Sequence, residues 1–445
     1  MRPALLRYPL DSWVDPAEAF VALFGDRTDV VWLDSGVSAT SGHSYLGGAS
    51  RVVTSSTEDS VVDFLRAELS AHPVVSDGTG FALGWVGWLG YETRFETMRM
   101  PRTRVSPYPD AAFLYLDRAI EFDHAAGTVT LIALGEGWDG ELAAWRDEII
   151  RSLSFPQGGF GRLSDWAIPI DPPRPIWRDT DAEYLAMIAS AQASIAAGDA
   201  YQLCLTTEVR VEVAPDPVAT YLALRASSPT HHGALLRIGD LALLSSSPEQ
   251  FLSVSPGGVI ESRPIKGTRP RGSTAEEDRA FAVELAASEK ERAENLMIVD
   301  LMRNDIGGVS EIGSVEVPSL LEVESYAQVF QLVSTVRGRL ADGKTGLDAV
   351  VACFPAGSMT GAPKRAATLI LDALEQHPRG IYSGAFGYFG LDGRIDLAMT
   401  IRSIVLSPAG ATIGTGGGIT ALSIPAEELA EVKLKAEVLL RVLGA

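Results

Sequence analysis

Apolar residues along this chain fall into two patterns, one of helical spacing and one of short continuous runs, punctuated by glycine and proline. Pro16 to Phe24 predicts a short helix closed by Gly25. Val30 to Leu33 predicts a strand ending at Asp34-Ser35-Gly36, and Ala119 to Leu134 a hairpin turning at His124 to Gly127. Phe81 to Tyr91 carries glycines at 84, 87 and 90, which permits close backbone packing; no phosphate-loop lysine follows them. Glu141 to Leu153 reads as a helix. From Ser154 to Asp181 the chain turns rich in Pro and Gly, with Pro172, Pro173 and Pro175 close together. That predicts a linker between an N-terminal half, 1–170, and a second region, 175–445.

The second region opens with a helix from Asp181 to Ala197, stopped by Gly198, and a strand from Asp199 to Thr206. Leu241 to Ser247 is a strand, and a hairpin over Pro256-Gly257-Gly258 returns the chain toward Lys266. Glu249 and Lys266 are thereby expected on two arms of one hairpin. Ala275 to Ala287 is helical. Ser288 starts another helix with Glu291 at capping-box spacing, apolar through Leu296, Met297, Val299, Leu301 and Met302. Ser423 begins the last helix, with Pro425 in its first turn.

Composition narrows the class. The 445 residues are 46% hydrophobic, enough for a large core and against disorder. A formal charge of −20 argues against a nucleic-acid partner but leaves room for a local cationic pocket. Two cysteines, Cys204 and Cys353, can build neither a disulfide framework nor a four-ligand zinc site. Met1 to Trp13 has no signal-peptide core, and no run approaches the roughly 18 apolar residues of a membrane helix. The expectation is a soluble, cytoplasmic protein with no membrane partner.

Candidate chemistry gathers around Ser262 to Gly272. Pro264 bars this stretch from a helix interior, and Gly267 allows close approach to a ligand. Arg263, Arg269 and Arg271 crowd Lys266, and like charge disfavours an ammonium, so the amine is expected to be free near neutral pH and nucleophilic. Taken alone, the cluster reads more readily as a basic solvated loop; the rest of the chain is what favours a site. Glu291 and Glu294 share one helix face, as do Glu428, Glu431 and Lys435. Acids favour the positive end of a helix dipole, which alone accounts for such pairs. Two such faces also supply four oxygen ligands for one Mg²⁺. Gly414 to Gly418 reads as a glycine turn whose successive N–H groups can hold an anion, and Arg402 as a bidentate carboxylate clamp. A flexible turn is the alternative for the glycines.

Several motifs in one order resemble the chorismate-utilising enzymes over 181–445, and more weakly before it. They are Gly-Asp-Ala-Tyr-Gln-Leu (198–203), Ser-Ser-Pro-Glu (246–249), Pro-Ile-Lys-Gly-Thr (264–268) and Lys-Glu-Arg-Ala-Glu-Asn (290–295). Asp-Leu-Met-Arg-Asn-Asp (300–305), Phe-Pro-Ala-Gly-Ser-Met-Thr-Gly-Ala-Pro-Lys (354–364), Ile-Tyr-Ser-Gly (381–384), Ile-Arg-Ser (401–403) and Gly-Gly-Gly-Ile (416–419) continue the series. The resemblance implies an α+β fold: a duplicated four-layer α/β/β/α body with two orthogonally packed antiparallel sheets. It implies Glu249 as general acid for the departing C4 hydroxyl, and Glu291, Glu294, Glu428 and Glu431 as the Mg²⁺ shell. Tyr382, Arg402, the amides around Gly416, Gly417 and Gly418, and Lys435 resemble the holders of chorismate's carboxylates, and Thr268 and Thr360 resemble pocket hydroxyls.

Two positions sort the subfamilies. Gln202 stands where water-using members carry a lysine base, which implies ammonia as the nucleophile. Lys266 stands where anthranilate synthase has alanine and aminodeoxychorismate synthase component I has lysine. The resemblance therefore implies amination of chorismate at C4 to 4-amino-4-deoxychorismate, for p-aminobenzoate and folate synthesis. There the lysine attacks C2 as the C4 hydroxyl leaves, and ammonia at C4 expels it. Amination at C2, as in anthranilate synthase component I or an aminodeoxyisochorismate synthase, is the alternative; a non-catalytic chorismate-binding regulatory subunit is a third reading. Gln331 and Asn295 replace histidines common in relatives. Leu33-Asp34-Ser35 and His43-Ser44-Tyr45 partly resemble the family's tryptophan pocket. Neither cysteine lies in a glutaminase motif, so a separate glutamine amidotransferase subunit is the expected partner.

Overall fold

The structure is a computed structural model that describes residues 4–37, 39–55, 59–76, 78–154, 173–326 and 329–445. Most of the expected Pro/Gly linker, 155–172, lies outside the described residues. The strands form a twelve-stranded and a ten-stranded sheet, and each neighbouring pair is antiparallel.

In the interior strands, side chains alternate between two buried faces rather than between core and water. Val30 and Trp32 face one way, with Leu235 and Leu244; Val31 and Leu33 face the other, with Leu236 and Leu243. The second set meets Val86, Trp88, Leu114 and Phe386 of the ten-stranded sheet in a core between the sheets. On the outer face of the larger sheet lie helices Pro16–Phe24, Gly140–Ser154, Pro217–Ser227 and Pro425–Val442, contributing Phe20, Ile149, Leu224 and Leu439. On the outer face of the smaller sheet lie Val61–Ala71, Glu289–Gly307 and Gly346–Cys353, contributing Leu65, Met302 and Val350. The result is the expected α+β arrangement of helices, sheet, sheet, helices. Burial on both faces explains why strands such as Val30–Asp34 read as unbroken apolar runs.

Residues from before and after the linker share both sheets. Val30–Asp34 pairs with His232–Ile238, placing Asp34 opposite Gly233. Gly84–Leu89 pairs with Ala385–Gly390, where Gly87 lies opposite Gly387. A Cβ at Gly87 would stand 1.9 Å from the Ala112 carbonyl oxygen, so the close packing expected of the 84/87/90 glycines is real at this position.

A buried ion pair crosses the same junction. Arg225 Nε donates to Asp34 Oδ2 at 2.6 Å, the Tyr221 hydroxyl donates to the same oxygen at 3.2 Å, and the Ser44 hydroxyl donates to Oδ1 at 3.3 Å. Ser35 Oγ donates to the His43 carbonyl at 2.8 Å. The polar groups of the Leu33-Asp34-Ser35 and His43-Ser44-Tyr45 segments are thus bonded within the fold. Removing one member of a buried pair strands the other charge. We expect Asp34→Ala to lower stability by about 3–5 kcal/mol, read as a lower urea midpoint at unchanged slope, whereas Ser50→Ala at an exposed position should leave the midpoint in place.

Candidate active site

Lys266 sits on a bulge. Strand Ile265–Pro270 pairs with Val329–Arg339, Ile265 opposite Val333 and Thr268 opposite Gln331, so one extra residue is accommodated between them. Gly267 supplies the left-handed conformation this needs, at φ 87. It also lies against the first turn of helix Glu289–Gly307: a Cβ there would stand 3.1 Å from Glu291 Cβ. The bulge thus seats the lysine beside the glutamates of that helix.

The charge around Lys266 is the reverse of the sequence expectation. Arg263 pairs with Glu324, Arg269 with Glu284 at 2.5 Å, and Arg271 with Asp278 at 2.7 Å. These acids come from other segments and neutralise the arginines away from the lysine. Burial works against the Lys266 ammonium, but Glu294, the Cys204 thiol, Glu249 and Glu431 outweigh it, and its pKa stands above the ordinary lysine value. The resting side chain is a cation among acids, not a free amine.

Glu249 is the partner the hairpin expectation named, with one change of detail. It precedes strand Gln250–Val254, which pairs with Val259–Ser262, and Lys266 lies beyond the second arm after Arg263-Pro264. The carboxyl is buried, and burial pushes its pKa up to about 7 against the pull of Lys266 and a hydrogen bond with Ser358. A group that titrates at neutrality suits proton transfer in both directions. Ser358 was not foreseen; it sits within the 354–364 motif, with nothing but that position to mark it.

The four glutamates stand on the first two turns of two helices, Glu291 and Glu294 on Glu289–Gly307 and Glu428 and Glu431 on Pro425–Val442. Glu294 and Glu428 are buried. Burial raises the Glu294 pKa, Lys266 opposes this, and Glu291 and Glu428 add to it, so these acids feel one another. Each of the other three also has a cation: Lys290 Nζ is 3.2 Å from Glu428 Oε1, Arg269 is 3.5 Å from Glu291 Oε1, and Lys435 Nζ is 2.7 Å from Glu431 Oε1. Burial would raise Glu431, but Lys435, Lys290 and Lys266 hold it below the usual carboxylate range. Among the described residues no three Asp, Glu, His or Cys side chains are gathered closely enough to hold a metal ion. Ser288 Oγ accepts from the Glu291 N–H at 3.5 Å, but the Glu291 carboxylate turns to Arg269, so only half of the capping box forms.

The glycine run is a strand, not a turn. Gly410–Ile419 pairs along Gln202–Val211, Cys204 opposite Gly418 and Thr206 opposite Gly416. Strand Ser403–Ser407 covers its other edge only as far as Thr412. None of Gly414, Gly416, Gly417 or Gly418 has a left-handed φ; they are glycines because neighbours come close. A Cβ at Gly414 would stand 2.1 Å from Tyr382 Cγ, one at Gly418 2.4 Å from Gln202 Nε2, and one at Gly417 3.3 Å from Glu428 Oε2. Lys435 Nζ donates to the Gly416 carbonyl at 3.0 Å. The glycines therefore join Tyr382, Gln202, the glutamates and Lys435 in one place.

Arg402 lies in the crossing between strands Ile395–Met399 and Ser403–Ser407, held at φ 50. Burial lowers its pKa, with Tyr382 and Glu431 opposing, and its guanidinium makes no ion pair or side-chain hydrogen bond among the described residues. A half-buried, unpaired guanidinium is a ready carboxylate receptor. Gln202 is almost fully buried and its Oε1 lacks a partner. Burial raises the Tyr382 phenol, so it stays protonated. Thr360 is buried and donates to the Ala356 carbonyl at 3.1 Å, whereas Thr268 is exposed on its strand. Asn295 is structural: it donates to the Leu332 carbonyl at 3.2 Å and accepts from Ser334 at 2.5 Å. A cavity of about 220 Å³, bordered by Val213, Arg237 and Pro408, contains none of these residues.

A carboxylic acid titrating near pH 7 leaves a direct signature. In infrared difference spectra between pH 5 and 9 we expect a protonated-carboxyl carbonyl band with a midpoint at about 7, lost in Glu249→Gln. A band that persists in that variant would belong to another group.

Known proteins resemble this chain in sequence and fold. The chorismate binding enzyme family matches residues 28–441. The aminodeoxychorismate synthase of Streptomyces pristinaespiralis is 41% identical over 96% of this chain and 64% of its own length, and that of Streptomyces griseus is 47% identical over 85% and 52%. The chain thus spans roughly half to two thirds of these curated relatives. Anthranilate synthase component 1 of Streptomyces coelicolor is 36% identical over 97% of this chain and 87% of its own. Among solved structures, anthranilate synthase component I from Streptococcus pneumoniae superposes with a TM-score of 0.74 at 28% identity, covering 99% of this chain and 92% of that one. The menaquinone-specific isochorismate synthase of Escherichia coli shares the fold, with a TM-score of 0.73 at 18% identity over 100% and 96% of the two chains. With a match over nearly the whole chain, the protein belongs to the chorismate binding enzyme family.

Proposed function

We propose that this chain aminates chorismate at C4 with ammonia, giving 4-amino-4-deoxychorismate. The observation that carries the reading is the lysine at 266, seated by a bulge beside Glu249 and the glutamates, with the amide of Gln202 in the same site. Arg402 and Lys435 give the substrate's two carboxylates cationic partners. The proton inventory runs through two residues. Glu249, titrating near neutrality, takes a proton from the Lys266 ammonium and passes it to the C4 hydroxyl. The amine forms a bond to C2, the ring double bond shifts, and the C4–O bond breaks to release water. Ammonia then bonds to C4, the electrons return, and the C2–N bond breaks to restore Lys266.

By chemistry, the hard carboxylate oxygens of Glu291, Glu294, Glu428 and Glu431 suit Mg²⁺, and Glu294 and Glu428 are buried against Gly418 and Gly417 of one strand; the four would have to draw closer together to hold the ion. When bound, the ion supplies electrostatic stabilisation of the substrate's negative charge. Burial raises both thiols, Cys353 to about 12, so neither is a glutaminase nucleophile. On this reading the ammonia comes from solution or from a glutamine amidotransferase that these 445 residues do not contain.

Two experiments test this reading. With chorismate, ammonia and Mg²⁺, the wild-type product should carry nitrogen at C4, and Lys266→Ala should lose a trappable lysine adduct and move amination toward C2. The C4 amine formed at the wild-type rate by Lys266→Ala would remove the lysine from the mechanism. Amination at C2 by the wild type would instead favour the anthranilate synthase side of the family. Separately, Glu431→Gln should weaken Mg²⁺ binding by about ten-fold or more in direct calorimetric titration, with activity falling in parallel; an unchanged Mg²⁺ isotherm would take Glu431 out of the ion's shell.

A further inference from the structure

Behind the site lies a buried cation that the reaction does not consume. Arg379 is 4% exposed, and all five of its guanidinium N–H donors find acceptors. Nε and Nη2 hold the Glu375 carboxylate at 2.8 and 2.6 Å. Nη2 also donates to the Cys204 carbonyl at 2.9 Å, and Nη1 donates to the Met359 carbonyl at 2.7 Å and to Ser383 Oγ at 3.3 Å. Its guanidinium carbon lies 4.3 Å from the Tyr91 ring centroid. Glu375 in turn accepts from the Thr206 N–H and hydroxyl at 2.9 and 3.0 Å. The backbone N–H groups of Arg379 and Gly380 donate to the Glu92 carboxylate at 3.1 and 2.8 Å, which fixes the segment itself.

Besides Glu375, three of these acceptors each lie within two residues of a site group. Cys204 is two from Gln202, Met359 adjoins Thr360, and Ser383 adjoins Tyr382. Cys204 also lies opposite Gly418, whose missing side chain leaves room for Gln202. Strand pairing already sets Gln202 opposite Ala362 and Leu203 opposite Gly361, and one rigid planar fork ties the Tyr382 segment to that pair. A lysine has three donors on a flexible stem and cannot satisfy all of these acceptors at once.

We propose that Arg379 is a positioning residue for the chorismate reaction, setting the mutual placement of Gln202, Thr360 and Tyr382 from behind the pocket. The assignment rests on the chorismate reading of the site. Each acceptor lost leaves a buried carbonyl unpaired and lets its segment shift, and misplacement of about 1 Å is enough to lower a rate by up to 100-fold.

The test uses the full chain with Arg379→Lys and, because that variant can fail to fold, also Ser383→Ala, which removes only the contact on the Tyr382 side. For Arg379→Lys, we expect kcat to fall by about ten-fold or more and the chorismate KM to rise, measured per folded molecule by active-protein titration. For Ser383→Ala, we expect a rise in KM of about three-fold with little change in kcat. In substrate-free protein, both variants should exchange amide hydrogens faster at 380–384, and Arg379→Lys also at 203–206. A purely structural role would lower the melting temperature and leave kcat and KM per folded molecule unchanged; that result, or wild-type exchange in both segments, overturns the proposal. If the wild type fails to turn over chorismate, the functional reading falls, and the exchange measurement still decides whether Arg379 ties the segments.

Discussion

The closeness of Gly410–Ile419 to its neighbours is the constraint on which the site depends. The strand forms because it pairs along Gln202–Val211, and it leaves an edge open beyond Thr412 because Ser403–Ser407 stops there. Absent side chains at Gly414, Gly417 and Gly418 let the Tyr382 ring, the Glu428 carboxylate and the Gln202 amide each approach the backbone. A methyl group at Gly414 alone would overlap the Tyr382 ring. Glycine acts here by subtraction: it weakens the strand a little and makes a floor against which larger groups can be set.

Charge balance is the second constraint. The protein carries a large formal negative charge, yet its site collects Lys266, Lys290, Arg402 and Lys435 among four glutamates. Such a mixture tolerates a doubly anionic substrate because the cations are already present and partly desolvated. Both Glu249 and Lys266 stand above their ordinary pKa values for different reasons: burial raises the Glu249 acid against the pull of Lys266, and the surrounding acids hold the proton on Lys266. The fixed part of the site stands behind this mobile charge, where Arg379, Glu375 and Glu92 are fully bonded and buried.

Local pattern made much of the fold legible. The helix Pro16–Phe24, the strand Leu241–Ser247 and the helix Ala275–Ala287 fall where periodicity and caps put them. The sharing of both sheets by the two ends of the chain was not legible from spacing, because strand partners such as Val30–Asp34 and His232–Ile238 are some two hundred residues apart. The site divides the same way. Motif order identified Lys266, Glu249 and the glutamates, but the lysine's electrostatics were misjudged from sequence neighbours. Arg263, Arg269 and Arg271 are close in the chain, while the acids that absorb them, Glu324, Glu284 and Asp278, arrive from elsewhere. Composition likewise suggested a turn at Gly414–Gly418, since glycine permits turns and tight strand packing equally, and only the neighbours decide.

The interleaving of early and late strands bears on how the polypeptide reaches this state. Val30–Asp34 and Gly84–Leu89 are interior strands whose neighbours on one side are His232–Ile238 and Ala385–Gly390. During synthesis the first of these waits for about two hundred residues, and the second for about three hundred, before its missing neighbour is made. Until then, each presents an apolar ribbon with unpaired peptide groups, the kind of surface that invites self-association. Final assembly has to close very long loops before the late contacts repay the entropy, which makes maturation slow and dependent on protection of the nascent chain.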